Sequence, residues 1–478
     1  MQALIRHFAV PWHGVTLSKS LVILAVVAAS ALLGSGASLP TLASIALVLA
    51  FALVLRVPSL GLNAIVVVAL FSRFQLNTGT DVSINAVSLL IPVLFAIWLA
   101  RLFRRQDRPA SFSPIMVPLL LFLLANLASL VIGRVMWDPT IPVRSSFLLV
   151  QIAQWSIFLF SAIAFWLAAY QVKDEAGLYY LTWSFLFLAG SLAVVISILG
   201  LGAVVGRIAS LAVLRATFWV LVTGIAGGQL LFAEKNSLAM KLMLTLVLIA
   251  VARHAFFVRQ EAGSNWVGVS SVVGTLVWLR WPRLRWPIVL ILVTLLLFGA
   301  IVSFLFEFGG GTQEWELSGG SRLSLIERVL SVALRNPVTG LGPAAYRLYA
   351  GALPLQYGRA FWANPNVNSH NNYVDIFAHS GLIGLSLFLW FLAEVARLGL
   401  RLHRRFRQGF IAGYVNGMIA TFAGIVVIML LLDWFLPFIY NVGFEGFQAS
   451  VLVWLFLGGL VAIDRWDIHS GRELGKAC

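Results

Sequence analysis

The feature that most constrains this chain is a succession of apolar runs, each roughly 17–25 residues long and separated by short charged segments. A helix of that length crosses the hydrocarbon core of a bilayer. The chain is 60% hydrophobic and only 11% charged, so it lacks the charge needed to cover the surface of a soluble protein of this size. The sequence therefore predicts an all-α, polytopic integral membrane protein.

The apolar runs give about fourteen candidate membrane helices by the length criterion. Their approximate positions are 17–36, 39–56, 58–72, 83–103, 114–133, 147–170, 177–203, 210–232, 236–252, 265–280, 286–306, 380–400, 409–433 and 446–464. The runs at 58–72 and 265–280 are short and are alternatively re-entrant or interfacial. The prediction is therefore about 12–14 transmembrane helices. The first run is long and a second follows at once, which favours a membrane span over a removable signal peptide.

Basic clusters between the spans predict the orientation of the chain. The clusters are Arg101, Arg104, Arg105 and Arg108; Arg280, Arg283 and Arg285; and Arg397, Arg401, Arg404, Arg405 and Arg407. With these spans all three lie on one side of the membrane together with both termini, and that side is predicted to be cytoplasmic. Topology thereby accounts for the net charge of +15 without a nucleic-acid partner.

This arrangement predicts three parts of the chain. They are an N-terminal transmembrane bundle at 1–306, an extracytoplasmic loop at 307–379, and C-terminal transmembrane helices with a cytoplasmic tail at 380–478. Within the loop, SRLSLIERVLSVALRNP has the periodicity of an amphipathic helix that ends at Asn336-Pro337. Its predicted apolar face consists of Leu323, Ile326, Leu330 and Leu334. The glycine-rich turn TGLGPAAY follows.

The outer side also carries arginines that the positive-inside rule does not explain. They are Arg134, Arg144, Arg207, Arg215, Arg253, Arg259, Arg322, Arg328, Arg335, Arg347 and Arg359. The planar guanidinium suits bidentate binding of phosphate oxygens. Any single one of them is as well explained by an ion pair or by lipid head groups. Together they indicate a site for an anionic, lipid-linked ligand.

Two motifs in and after the loop resemble the O-antigen ligase and polymerase superfamily. SRLSLIERVLSVALRNPVTGLGPAAY resembles the family's segment in which an arginine opens an amphipathic helix that runs on to an N-P-x-x-G-x-G turn. SHNNYVDIFAHSGLIGLSLFL resembles its H-N-x-Y…G-L-x-G-L-x-L-F-L block, which enters the next membrane helix. The resemblance extends from Ser321 to about Leu400 and does not separate a ligase from a polymerase.

The resemblance implies a glycosyltransferase in the bacterial inner membrane that acts at the periplasmic face. Its donor is a glycan linked to a polyprenyl diphosphate, undecaprenyl diphosphate in bacteria. Its acceptor is a sugar hydroxyl, either of lipid A-core in a ligase or of a second carrier-linked glycan in a polymerase. The resemblance further implies that neither a divalent metal nor another cofactor is required, and that the surrounding membrane lipids are the other partners.

The resemblance also assigns candidate site residues. His370 matches the family's essential loop histidine, and Arg322 matches an essential arginine of the loop. Arg215, in LRATF, matches an upstream arginine, and Arg259 lies six residues before Asn265, where the family has another arginine. A neutral histidine suits removal of the acceptor's proton, and arginines suit stabilisation of the departing diphosphate.

The polar residues around His370 are weaker candidates for substrate binding. Asn368 and Asn371 either orient the imidazole or bind sugar hydroxyls, and Tyr373 offers a flat face to a sugar ring. On the residues alone, His370 is better explained as an ordinary turn or capping residue in an asparagine-rich loop. His379 is a rival histidine that caps or lines the next span.

Two acidic residues on the outer side are further candidates for the site. Asp433 and Glu445 lie near an outer end and are predicted to be a second base or partners of an arginine.

The alternative function is a carrier or flippase for lipid-linked oligosaccharide that forms no glycosidic bond. Because proton-coupled carriers usually place carboxylates at mid-span, where this chain has few, a proton-driven carrier is disfavoured.

Overall fold

The computed structural model describes residues 58–80, 82–104, 113–260, 262–297, 320–352 and 367–474. By its internal contacts the chain divides into two units, Met1–Gly61 and Leu62–Cys478, and the second is described below. The predicted spans at 17–36 and 39–56, the end of the predicted span at 286–306, and Arg359 lie outside the described residues.

Helices make up nearly all of the described structure. In chain order they are α1 Pro58–Phe71, α2 Ala86–Phe103, α3 Met116–Val135, α4 Phe147–Gln171, α5 Glu175–Ser197, α6 Gly202–Ile208, α7 Ala216–Phe232, α8 Leu238–Arg253, α9 Gly263–Arg280, α10 Arg285–Leu297, α11 Gly320–Ala333, α12 Tyr346–Ala352, α13 Asn372–Arg405, α14 Phe410–Ile428 and α15 Gly443–Leu474. Two short strands, β1 Gln75–Asn77 and β2 Ser83–Asn85, form an antiparallel hairpin before α2.

Eight of the described helices are at least 18 residues long and apolar enough to cross a membrane: α2, α3, α4, α5, α8 with its extension to Val258, α13, α14 and α15. Their outer faces are apolar as well. On α3, Leu120, Leu124, Leu127 and Val131 form an exposed stripe at helical spacing. Such a stripe is stable only against lipid or another apolar surface. The prediction of an all-α, multi-pass membrane protein is confirmed.

The core of this unit is built on close helix contacts. The candidate span in α15, Gly443–Trp466, is buried along its length and packs against α4. Where α7 crosses α14, glycines replace larger side chains, and a Cβ added at Gly224 or Gly417 would clash with the backbone of the facing helix. Small residues let two membrane helices approach until their backbones touch, which maximises dispersion contacts where no hydrophobic effect drives association.

The amphipathic helix predicted in the loop exists as α11, but the face predicted to be buried is wrong. The structure buries Leu325, Val329 and Val332, whereas Leu334 is 64% exposed. The reason lies in Arg328, which is itself buried and donates from Nη2 to the carbonyl of Ala350 at 2.6 Å. Satisfying this buried cation turns α11 by about one residue from the face that apolar periodicity alone predicts.

The glycine-rich turn after α11 docks against a kink in α13. Gly381 interrupts α13 with φ 65° and ψ −166°. The amide of Leu341 donates to the carbonyl of Ala378 at 2.9 Å, and the amide of Leu382 donates to Pro337 at 2.9 Å. These hydrogen bonds replace those that the helix loses at the kink. The helix α13 begins at Asn372, before the predicted span at 380–400. The glycine-rich turn and the kink together set the direction in which α13 continues after Gly381.

Candidate functional site

His370 occupies a strained turn immediately before α13. Its φ of 54° places it in the left-handed region, which is uncommon for a residue with a side chain. The buried carboxylate of Asp375 holds this turn, accepting from the amide of Ser369 at 3.2 Å and from its hydroxyl at 2.8 Å. The Ser369 hydroxyl in turn accepts from the amide of Asn371 at 3.1 Å. The backbone on both sides of His370 is therefore fixed by side chains.

The asparagines that follow His370 attach the turn to the loop between α14 and α15. Asn371 caps α13 by accepting from the amides of Tyr373 and Val374, and it donates to the carbonyl of Leu430 at 3.1 Å. Asn372 donates to the carbonyl of Leu436 at 2.8 Å and accepts from its amide at 3.3 Å. These contacts bring the α14–α15 loop, residues 429–442, against His370.

The imidazole of His370 faces an acidic residue of that loop. Its Nδ1 atom lies 3.1 Å from Nδ2 of Asn441 and 3.7 Å from Oδ1 of Asp433. The side chain of Asp433 is 1% exposed, whereas that of His370 is 30% exposed. Asn441 also donates from Nδ2 to Oδ2 of Asp433, so the three side chains form one cluster. Among the described residues, Asp433 therefore pairs with the histidine, and no arginine forms an ion pair with it.

The cluster suits a histidine that works as a base. Oδ1 of Asp433 is buried and finds no hydrogen-bond partner among the described residues. An imidazole with its proton on Nδ1 donates to this oxygen only after it approaches Asp433 and the amide nitrogen of Asn441, itself a donor, moves off Nδ1. Catalytic hydrogen bonds are often long or poorly aligned before substrate binds. The tautomer then fixed leaves Nε2 unprotonated. A carboxylate on one ring nitrogen and an available lone pair on the other are what general-base catalysis requires.

Arg215 reaches the same loop from the start of α7. Its guanidinium lies over the ring of Trp434, 4.1 Å from the centroid, and Trp434 directly follows Asp433 in the chain. Burial, and then the nearby Arg259, lower the pKa of Arg215, whereas Glu445 acts in the opposite direction. Arginine remains protonated at physiological pH despite such shifts. Arg215 is therefore a desolvated cation that shares its neighbourhood with Arg259.

Arg259 is presented by an irregular end of α8. The helix continues as one π-helical turn, His254–Val258, and the amide of Arg259 donates to the carbonyl of His254 at 2.9 Å. Single π-helical turns of this kind occur frequently at functional sites. His254 is buried and stacks on Trp219 with ring centroids 3.7 Å apart. This packing fixes the turn that positions Arg259 towards Arg215.

Two arginines of the predicted extracytoplasmic loop, Arg322 and Arg328, lie on α11. Arg322 lies in the first turn of α11, and its side chain is outside what the structure describes. Arg328, six residues further along the helix, is buried beside Tyr346. Burial raises the pKa of Tyr346 well above its usual value, with Asp375 adding to the effect and Arg328 opposing it. Arg328 thus connects α11 to α12 inside the protein.

An apolar cavity of about 440 Å³ lies beside the hairpin. It is bounded by the hairpin, by the N-terminal halves of α2 and α4 and by the start of α15, with Leu89, Ile152 and Phe444 among its walls. Gln75 of the hairpin donates to Glu445, which acts on Arg215. Glu445 directly follows Phe444 of the cavity wall, so the cavity and Arg215 have neighbouring residues in common.

The structure brings several of the predicted residues together. His370, Asn368 and Asn371 share one turn, and Arg215 and Arg259 meet near the loop that contacts it. The side chains of Asn371 and Tyr373 are occupied within the protein, the latter donating to the carbonyl of Val426 at 2.9 Å. Their binding of substrate stays a prediction.

Trp434 and Asn441 are the site residues that sequence reasoning missed. The only available signal was their proximity to Asp433 in the chain. Among the described residues, no three histidine, cysteine, aspartate or glutamate side chains cluster so as to hold a metal ion.

Comparison with known proteins finds a family that part of the chain resembles. Residues 244–389 match the family model described as O-antigen ligase. The matched stretch contains Arg259, Arg322 and His370, whereas Arg215 and Asp433 lie outside it. No protein of curated function matches the chain. The matched family supports an O-antigen ligase-type membrane glycosyltransferase in general terms. The match confirms the predicted resemblance to the O-antigen ligase and polymerase superfamily.

Proposed function

We propose that this protein transfers a glycan from undecaprenyl diphosphate to a sugar hydroxyl of an acceptor, with His370 as general base. The observation that carries the proposal is the contact of His370 with the buried Asp433, next to the residue on which Arg215 stacks. A proton acceptor and a cationic pair then lie at one loop. These are the two groups that displacement of a diphosphate requires.

In the proposed reaction the acceptor hydroxyl gives its proton to Nε2 of His370 while its oxygen attacks the anomeric carbon. The bond from that carbon to the diphosphate oxygen breaks, and the diphosphate leaves with the electron pair. Arg215 and Arg259, with Arg322, stabilise the charge that grows on the leaving group. Asp433 stabilises the imidazolium that forms. A single displacement of this kind inverts the anomeric configuration.

The position of the donor's lipid follows from the same geometry. The polyprenyl chain is apolar and lies in the outer leaflet when the diphosphate is at the arginine pair. The apolar cavity beside the hairpin has a volume in the range of ligand pockets, and Phe444 in its wall directly precedes Glu445, which interacts with Arg215. We assign the first isoprene units to this cavity. The proposal further puts the site at the periplasmic face of the inner membrane and both termini in the cytoplasm, which the basic clusters between the spans support.

A reconstituted transfer assay tests the proposal. Purified protein in liposomes receives an undecaprenyl-diphosphate glycan and, separately, lipid A-core or a second carrier-linked glycan, all in EDTA. Product on lipid A-core identifies a ligase, and longer carrier-linked chains identify a polymerase. His370→Ala is expected to lower the rate by about 100- to 10,000-fold, the usual contribution of a general base.

Unchanged transfer by a folded His370→Ala protein contradicts the assignment of the base. Donor that binds and crosses the bilayer without forming a glycosidic bond contradicts the transferase and supports the carrier instead.

A further inference from the structure

Two side chains of the β-hairpin attach it to the start of α15. Gln75 of β1 and Asn85 of β2 are directly opposite each other in the hairpin. Asn85 is 1% exposed and donates from Nδ2 to the carbonyl of Phe444. Gln75 donates from Nε2 to Oε1 of the next residue, Glu445, at 2.5 Å. The hairpin therefore holds both the backbone and an acidic side chain at the first turn of α15.

Glu445 lies near Arg215, yet the two side chains form no ion pair. Its charge opposes the effect of burial on the pKa of Arg215, so the two groups share one neighbourhood. Among the residues that the structure describes, no carboxylate forms an ion pair with Arg215, whose guanidinium stacks on Trp434. The hydrogen bond from Gln75 thus holds Glu445 against the attraction of a half-buried cation.

An ion pair with Glu445 would occupy the guanidinium that the proposed reaction needs. Carboxylate and phosphate oxygens compete for the same planar N–H groups of arginine, because both accept two parallel hydrogen bonds from it. A Glu445 side chain paired with Arg215 would have to be displaced before the diphosphate could bind. Bound to Gln75 instead, the same carboxylate leaves these N–H groups to the donor.

We propose that Gln75 is a positioning residue for donor binding, which keeps Glu445 from pairing with Arg215. The inference rests on the proposed function, in which Arg215 binds the diphosphate of the donor. The hairpin then has the role of placing a neutral amide beside the carboxylate. An amide suits this role because its N–H groups bind a carboxylate without adding another charge next to Arg215 and Arg259.

Steady-state kinetics of Gln75→Ala in the liposome assay test the inference. The KM for the donor is expected to rise about three- to tenfold, because an ion pair at a half-buried arginine now competes with the diphosphate. The kcat and the KM for the acceptor are expected to stay close to the wild-type values. The double variant Gln75→Ala/Glu445→Gln is expected to restore the donor KM, since a neutral side chain does not compete. Removing a second contact would not repair a damaged hairpin, so this rescue separates the proposed role from a structural one.

Asn77→Ala is the matched control. Asn77 is another exposed amide of β1, and its Oδ1 atom accepts from the hydroxyl of Ser83 at 2.7 Å, within the hairpin. Its donor KM is expected to remain that of the wild type. The inference is overturned if Gln75→Ala keeps a wild-type donor KM, if the added Glu445→Gln fails to restore it, or if Glu445→Gln alone raises it. Wild-type protein that forms no product overturns the proposed function and the inference together.

Discussion

The left-handed backbone of His370 costs a residue with a side chain about 1–3 kcal/mol, and the surrounding contacts hold it there. Asp375 and Ser369 brace the turn, and the imidazole that results faces Asp433 and Asn441. A turn residue with a merely structural role needs no such partner. The strain and the carboxylate together support the proposal that His370 is a base with a fixed orientation.

Replacing Asp433 by asparagine is expected to lower the rate of transfer by about 10- to 100-fold, a part of the general-base contribution. The amide keeps the volume of the side chain but removes the negative charge that stabilises the imidazolium and selects the Nδ1 tautomer. The KM for the donor is expected to change little. The measurement is kcat in the liposome assay, with the melting temperature recorded in parallel.

Asp138→Asn is the control for this change. Asp138 is also a paired carboxylate of a connecting segment, but its partners are Thr140 and Arg335. The Thr140 hydroxyl and amide, with Arg335, hold the pKa of Asp138 below its ordinary value. Its contribution to stability is therefore present above the ordinary pKa and is lost as pH falls. At neutral pH this variant is expected to keep wild-type kcat, and an equal loss in both variants would refute a specific role for Asp433.

The sequence predicted that His370 is the base because a family motif surrounds it. The sequence did not, however, assign the residues that contact its imidazole. Asn441 lies 71 residues from His370 in the chain. Asp433 was expected at the outer end as a second base or an arginine's partner, and only the packing of the α14–α15 loop against the turn shows which group it meets. Contacts between distant segments leave no local pattern in a single sequence.

At the scale of elements, the glycine-rich turn after α11 packs against the kink of α13 at Gly381, and this contact between the two segments is called the joint below. Gly340, with φ 79°, and Gly381 face each other's backbone, and an added Cβ at either would clash with carbonyl groups of the partner segment. The joint holds α11 and α12 against α13. It thereby connects the helix of Arg322 with the helix that starts just after His370.

Gly381→Ala is expected to destabilise the protein by about 2–5 kcal/mol, because alanine is strained at this φ and its Cβ meets the carbonyl of Val338. The melting temperature in detergent, from a thermal-shift measurement, is expected to fall by several degrees. Transfer activity should fall with it, since the joint lies between the two parts of the site.

Gly274→Ala provides the comparison. Gly274 lies inside α9, and none of the residues that the structure describes comes near the position of an added Cβ, so alanine there is expected to be neutral or to stabilise by up to about 1 kcal/mol. A normal melting temperature for Gly381→Ala would show that the joint is not rigid.

The elements themselves were predictable to different degrees. Apolar length located the long helices well, because burial in lipid demands it at every position of a span. The start of α13 at Asn372 was missed, since the capping role of Asn371 is indistinguishable in sequence from that of any asparagine in a turn. The buried face of α11 was wrong because the partner of Arg328 is a distant carbonyl.

At the scale of the whole molecule, the remaining prediction is the side of the membrane on which the site lies. Basic clusters assign the cytoplasm to the ends of the helices opposite His370. The chain has one cysteine, Cys478, so a Cys478→Ser background carries no other thiol. Single cysteines can then be introduced at exposed positions between helices. Leu199, after α5, is 59% exposed, and Leu238, at the start of α8, is 73% exposed.

A membrane-impermeant maleimide applied to cells with a permeabilised outer membrane is expected to label Leu199→Cys and not Leu238→Cys. Both variants are expected to react after the inner membrane is lysed, which controls for accessibility. The reverse pattern would place His370 in the cytoplasm. A base on that side cannot meet a glycan that has already been moved to the periplasmic leaflet, so the same reversal would also contradict the proposed donor. Labelling at Leu199 alone therefore supports both the orientation and the reaction that depends on it.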